Sequence, residues 1–297
     1  MSIKGALLKR TISVGIVVVF LLNTIIPVYA QSLPVNLPKA GSMVSLSAPF
    51  SPLVIKGLKL FPENSLKFDF IVDKGDSNFE GQDLQDEGTK LIKYFLAALT
   101  VPEEDMWVNL SPNEKDRIIP NEFGVTEMGR DMLAQDYFLK QLTSSLVFPE
   151  SELGKKFWDK IYAQAGTTDI PTDTFNKVWI MPEKAVVYEN GDTAFIVESK
   201  LKVMLEEDYK SGQWSVKETE TLTTEAPTTQ LIRSIILPVI EQEINTGANF
   251  AQLRQVYHSV ILATWFKRNL KKSFLGQVYM DQNKVAGVDI EDRKSVV

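Results

Sequence analysis

Cysteine is absent from this sequence, and histidine occurs once, at His258. The first absence excludes disulfides, thiol catalysis and cysteine-based metal sites. The second excludes paired-histidine metal sites such as H-E-x-x-H. A Ser-His-Asp triad would have to use His258, and no G-x-S-x-G elbow accompanies it. The phosphate-cradling G-x-x-x-x-G-K-[ST] is missing too. No stretch of basic residues forms a stripe that would neutralise phosphates, so binding to nucleic acid or to an anionic lipid surface is disfavoured. One apolar stretch near the N-terminus approaches membrane-spanning length. Ile235-Ile236-Leu237-Pro238-Val239-Ile240 is far too short to span and reads as core, kinked at Pro238.

That N-terminal stretch is the most informative feature. Lys4, Lys9 and Arg10 precede an apolar segment over 12–26, then Pro27 and Val28-Tyr29-Ala30. This charged, apolar, small-residue order is that of a secretion signal, with the cut expected after Ala30. The alternative is an uncleaved anchor over 12–30, about the 20 residues a bilayer core needs. Either way residues 31–297 lie beyond the cytoplasmic membrane, in the periplasm or outside the cell. Gln31 stands where a lipoprotein needs cysteine, so no lipid anchor is expected. Removal of residues 1–30 leaves 29 basic against 38 acidic residues, a more acidic chain than the precursor. With 44% hydrophobic residues it is not disordered.

Residues 31–53 carry Pro34, Pro38, Pro49 and Pro52 and show no period, so an extended lead-in is expected there. A single domain over 54–297 should follow. Short strands are expected at Val54–Leu60 and Leu66–Val72, and an amphipathic helix over 83–99 through Leu84, Leu91, Ile92, Phe95 and Leu99. Ser111-Pro112 should open a short helix. Thr126 should cap a helix over 127–146, and Ser151 another that turns Leu153, Phe157, Trp158 and Ile161 inward. The period then changes to two. Strands are expected at Lys177–Met181, Ala185–Tyr188, around Val197–Val203 and at Trp214–Leu222, with Asn190-Gly191 as a hairpin turn. In this meander, about 177–223, Lys200 and Lys202 would pair with Glu218 and Glu220. Helices over about 229–244 and 248–270 complete an α+β fold. The chain ends at Val297 without a cap, which suggests a C-terminal truncation.

Three chemical readings follow. Asp76-Ser77-Asn78-Phe79-Glu80-Gly81, with Glu87 six residues on, is similar to a calcium loop in which Asp76, Asn78, Glu80 and Glu87 supply oxygens and Gly81 the sharp turn. Glu80 is longer than the usual ligand, Asp83 replaces an aliphatic residue, and a strand precedes the loop instead of a helix; the alternative is an acidic turn that caps the next helix. Glu103, Glu104, Asp105, Glu114, Asp116, Glu122, Glu127, Asp131 and Asp136, with Trp107 among them, would suit a carboxylate-dependent glycan hydrolase. Helix spacing gives them a plainer role as ion pairs, Glu127 with Arg130 and Asp136 with Lys140. His258, mid-helix, reads as structural, and Ser259 beside it does not face it.

The phrases Leu91-Ile92-Lys93-Tyr94-Phe95-Leu96, Trp107-Val108-Asn109-Leu110-Ser111-Pro112, Glu114-Lys115-Asp116-Arg117-Ile118-Ile119-Pro120 and Thr126-Glu127-Met128-Gly129-Arg130-Asp131 carry a resemblance. So do Lys184-Ala185-Val186-Val187-Tyr188-Glu189 and Asn249-Phe250-Ala251-Gln252-Leu253-Arg254-Gln255. Over most of residues 40–290 the chain resembles an uncharacterised family of exported bacterial proteins. That resemblance implies no activity, cofactor or site residue. The resulting expectation is an exported cell-envelope protein that works by binding or scaffolding an envelope protein or glycan. The carboxylate hydrolase and the calcium module at 76–87 are the alternatives.

Overall fold

The hairpin at Asn190 organises the sheet. Strand β3 (Val178–Asn190) turns through Gly191, at φ +58°, into β4 (Thr193–Leu205), and the two pair antiparallel along their whole length. The sequence suggested two short strands before the turn, but they are one: Glu183 is an extra residue between Pro182 and Lys184, and the bulge carries the strand past a proline that cannot donate to the ladder. Strands β1 (Val54–Leu60) and β2 (Phe68–Asp73) pair with each other, and β1 joins β4, giving one antiparallel sheet in the order β2-β1-β4-β3.

These strands and the helices below come from a computed structural model that describes residues 37–39, 41–61, 63, 67–100, 121–165, 178–210 and 227–272. They belong to one compact unit, Asn36–Val297. The signal segment, the helix at Ser111, Trp107 and the carboxylates of 103–116, the strand at Trp214 and the chain end lie outside the described residues, as do Glu218 and Glu220. Lys200 instead reaches Glu183 at 2.6 Å and Glu241 at 3.2 Å. Among the described residues, no helix is long and apolar enough to cross a membrane.

Helices α1 (Gly81–Thr100), α2 (Glu127–Leu146) and α3 (Glu152–Ala165) follow the apolar spacing. The last two start alike. Thr126 and Ser151 each bond back to the carbonyl of a phenylalanine three residues earlier, and each hydroxyl accepts from a glycine N–H three residues later. The repeated phrase is Phe123-x-x-Thr126-x-x-Gly129 and Phe148-x-x-Ser151-x-x-Gly154. A side chain in place of either glycine would run into the phenylalanine carbonyl.

Helix α4 (Leu237–Thr246) keeps Pro238 in its first turn, and the wider π-type turn Ile232–Ile236 precedes it. Leu237 N–H bonds five residues back to Ile232, so the helix widens where the proline ring would otherwise clash. Helix α5 (Ala251–Lys272) is the central element, with Val256, Tyr257, Val260, Ile261, Leu262, Ala263 and Trp265 buried. Phe266 on α5 meets Phe68 of β2 edge-on at 5.2 Å, and Phe95 of α1 meets Phe70 at 5.2 Å. Each such ring removed from water contributes about 2 kcal/mol, so this aromatic knot seats α1 and α5 on the sheet.

The described part of the expected lead-in turns once, at Gly41, and is held against the helices. Phe50 N–H bonds to Thr246, Val44 N–H to the Ser145 hydroxyl, and Leu53 is fully buried. Glu243, buried on α4, accepts from the Ser47 amide at 3.1 Å, from the Ser47 hydroxyl, and from Asn249 at 2.7 Å.

Candidate functional site

β1 and β4 pair over only three positions, Gly57 with Phe195, Leu58 with Ala194 and Lys59 with Thr193. A Cβ on Gly57 would come within 2.7 Å of the Ala194 carbonyl, so glycine is what lets the strands meet there. Beyond that point they part, and each carries an irregularity at the fork. Lys56 interrupts the β1–β2 register, and Val197 is extra on β4 opposite Val186 and Val187. Bulges bend a strand and re-aim its side chains. The fork opens a cleft of about 570 Å³, walled by Val54 and Lys56 on one side and Glu198–Leu201 on the other. Asn245 and Thr246 of α4, Arg254, Tyr257 and His258 of α5, and Pro49–Pro52 complete it.

Parting two strands leaves main-chain groups to satisfy, and helix side chains do this. Asn245 takes both the N–H and the carbonyl of Leu201, at 2.9 and 2.8 Å. Gln255 donates to Leu53 at 2.9 Å. Arg254 donates to the carbonyls of Ile244, Gly247 and Phe50 at 2.6–2.8 Å. Burial pulls the Arg254 guanidinium down to about 10, which still leaves it charged at neutral pH.

His258 spans the fork. Its Nδ1 lies 3.4 Å from the Ile55 carbonyl of β1, and its Nε2 lies 3.0 Å from the Ser199 hydroxyl of β4. Burial, then the Lys56 charge, pushes its pKa down to about 4, so the ring is neutral at pH 7. A neutral imidazole has one donor and one acceptor nitrogen. A carbonyl only accepts, so the proton sits on Nδ1. Nε2 is therefore bare, and Ser199 donates to it. Ser259 turns away to the carbonyls of Gln255 and Leu91, as the helical spacing required.

The four calcium-loop residues are placed but not gathered. Asp76 and Ser51 exchange two bonds of 2.8 Å, the Ser51 N–H to the carboxylate and the Asp76 N–H to the Ser51 carbonyl. Glu87 accepts from Gln255 at 2.8 Å and pairs with Lys90 at 2.6 Å. Asn78 and Glu80 are exposed. Gly81 does adopt the positive φ, +52°, that the turn called for. Among the described residues no three Asp, Glu or His side chains converge as a metal would require.

The carboxylates of α2 are dispersed as well. Asp136 pairs with Lys140 at 2.8 Å, as its spacing suggested, whereas Glu127 reaches Lys93 of α1 at 2.9 Å. Asp131 is buried against the Tyr94 hydroxyl, and burial raises the pKa of both. Inside the cleft Glu198 pairs with Lys184 at 2.8 Å, and Asp73 accepts from the Gly75 N–H at 3.1 Å. Lys56, half-buried on the wall, has no ion pair among the described residues.

Ser199 is the residue that sequence reasoning missed. One signal does fall on it, since Ser199-Lys200-Leu201-Lys202 has S-x-x-K spacing. That spacing brings lysine to serine on a helix, but β4 is a strand, where residues three apart project to opposite faces. The partner that matters, His258, is 59 positions away. No family model, no curated protein and no solved structure matches the chain.

Proposed function

We propose that this chain is an exported cell-envelope protein that binds a short polar peptide, free or as a branch of envelope glycan, in the cleft between β1 and β4. The fork itself carries the reading. Two central strands separate at paired bulges and leave an opening in mid-sheet, where an ordinary sheet would zip closed. Bulges concentrate beside functional sites because they end pairing and re-aim side chains. The walls suit a ligand with both charges: among the described residues Lys56 offers a cation without an ion pair, and Asp73 a carboxylate bonded only within its own turn. Phe50 and Tyr257 add apolar surface for the ligand's carbon skeleton.

Export rests on the order of residues 1–30, and membership of an uncharacterised exported family on the phrases quoted above. The binding test is an amide-shift titration of the exported chain with soluble glycan-peptide fragments and with the corresponding free tripeptides. Shifts at Lys56, Glu198–Leu201 and Asn245–Thr246, weakened in Lys56→Ala, are expected. Shifts confined to other surfaces, or none at millimolar ligand, would refute the cleft as the site. Mass spectrometry of the protein recovered outside the cytoplasm tests export, with an N-terminus at Gln31 expected.

A further inference from the structure

We propose that Ser199 is an acyl-accepting nucleophile and His258 its general base, so that the cleft cleaves carboxylic esters through an acyl-serine. The inference rests on the cleft being the ligand site and adds a reaction to it. The geometry has the parts in order. The Ser199 hydroxyl donates to His258 Nε2 at 3.0 Å, within the reach a base needs to take that proton. The other ring nitrogen is held by the Ile55 carbonyl, which fixes the tautomer as a carboxylate does in the serine hydrolase triad. Ser199 is half-buried on the wall of the cleft, and the base behind it is 8% exposed. An incoming acyl group therefore meets the hydroxyl from the open side while the base is shielded.

The Val197 bulge lies two residues before Ser199, where the strand leaves β1. On the facing wall stands the Lys56 ammonium, close enough for its field to act on His258. A positive charge there favours the oxyanion of a tetrahedral intermediate.

The steps balance. Ser199 Oγ bonds to the ester carbonyl carbon as its proton passes to Nε2. The intermediate collapses by breaking the carbon–alkoxide bond, and the alkoxide leaves with the proton from Nε2. Water then gives a proton to Nε2 and adds to the acyl carbon, and Ser199 leaves with that proton as the carboxylic acid departs. A carbonyl supports the imidazolium less than a carboxylate would, which suits esters, whose leaving group demands less than an amine.

The test uses the exported chain with a fluorophosphonate probe and with p-nitrophenyl acetate. One phosphonyl adduct on Ser199 is expected, with release of p-nitrophenol that Ser199→Ala abolishes. His258→Gln should slow labelling by about 10-fold or more, since a ring whose pKa is held near 4 is a weaker base than one tuned to the working pH. Lys56→Ala, which removes no ion pair among the described residues, should slow it by roughly 10-fold or more while melting unchanged. Labelling at Ser199 with the wild-type rate in both variants would overturn the assigned roles. An unlabelled Ser199 alongside ligand-induced shifts in the cleft would overturn the nucleophile and leave the binding reading intact. Failure of both labelling and shifts would remove both.

Discussion

His258 makes a prediction that needs no knowledge of the ligand. It is the sole histidine, so every imidazole signal and every imidazole proton belongs to it. In the folded protein, burial and then Lys56 push its pKa down to about 4 against an ordinary 6.5. The charged groups facing it are Lys56 from β1, Asp73 from β2 and Arg254 on its own helix; Asp73 and the Ile55 carbonyl act the other way and are outweighed.

The sign is fixed by linkage. A folded pKa below the unfolded one means that unfolding takes up a proton. The contribution is fully present above pH 6.5 and is lost as pH falls towards 4. A difference of roughly two and a half units corresponds to about 3 kcal/mol at most, a large part of the 5–15 kcal/mol that a typical domain has. Denaturant titrations from pH 8 to pH 4 should show that loss, and His258→Gln should remove it. Acid groups whose pKa burial raises, such as Asp131, contribute equally to both proteins and cancel in the difference. Nitrogen-15 ring shifts supply the direct reading, a neutral Nδ1–H tautomer that persists to about pH 5. An ordinary titration near 6.5, the opposite tautomer, or an unchanged pH slope in His258→Gln would refute the account of the fork.

Other consequences can be measured on the same protein. Gly129→Ala and Gly154→Ala should each cost roughly 1–3 kcal/mol in urea unfolding, opposite in sign to the usual gain of about 1 kcal/mol for that change inside a helix; a neutral or stabilising result would discredit the two matching helix starts. Glu243→Ala strips acceptors from Ser47 and Asn249 and should cost about 2–4 kcal/mol, with faster hydrogen exchange at Ser47 and proteolytic nicking before Leu53. If unfolding shows no loss, the lead-in is not held through Glu243. Because Asp76 and Glu87 already have other partners, millimolar calcium should leave the melting temperature unchanged, and a clear rise would favour the calcium loop.

What the sequence revealed and what it hid follow from the range of the interactions involved. Helix spacing and capping are local, and so the helix over 127–146, the caps at Thr126 and Ser151 and the turn at Asn190 were readable from neighbouring residues. The glycines that complete those caps were not singled out, because their role depends on a carbonyl six residues back in space as well as in sequence. Strand alternation was readable for Val197–Val203, yet alternation assumes an unbroken ladder. An unbroken period of two would set Val197 on the same face as buried Leu201 and Val203, while the bulge leaves it 62% exposed. The fork escapes sequence reasoning altogether, because it is a relation between β1 and β4, more than 130 positions apart, and helix α5 bridges it from further still. Within its own stretch Ser199 is simply a small residue on a strand and His258 a polar one on a helix. Each becomes chemically informative only when the fold forbids β1 from zipping onto β4 and sets an imidazole in the gap.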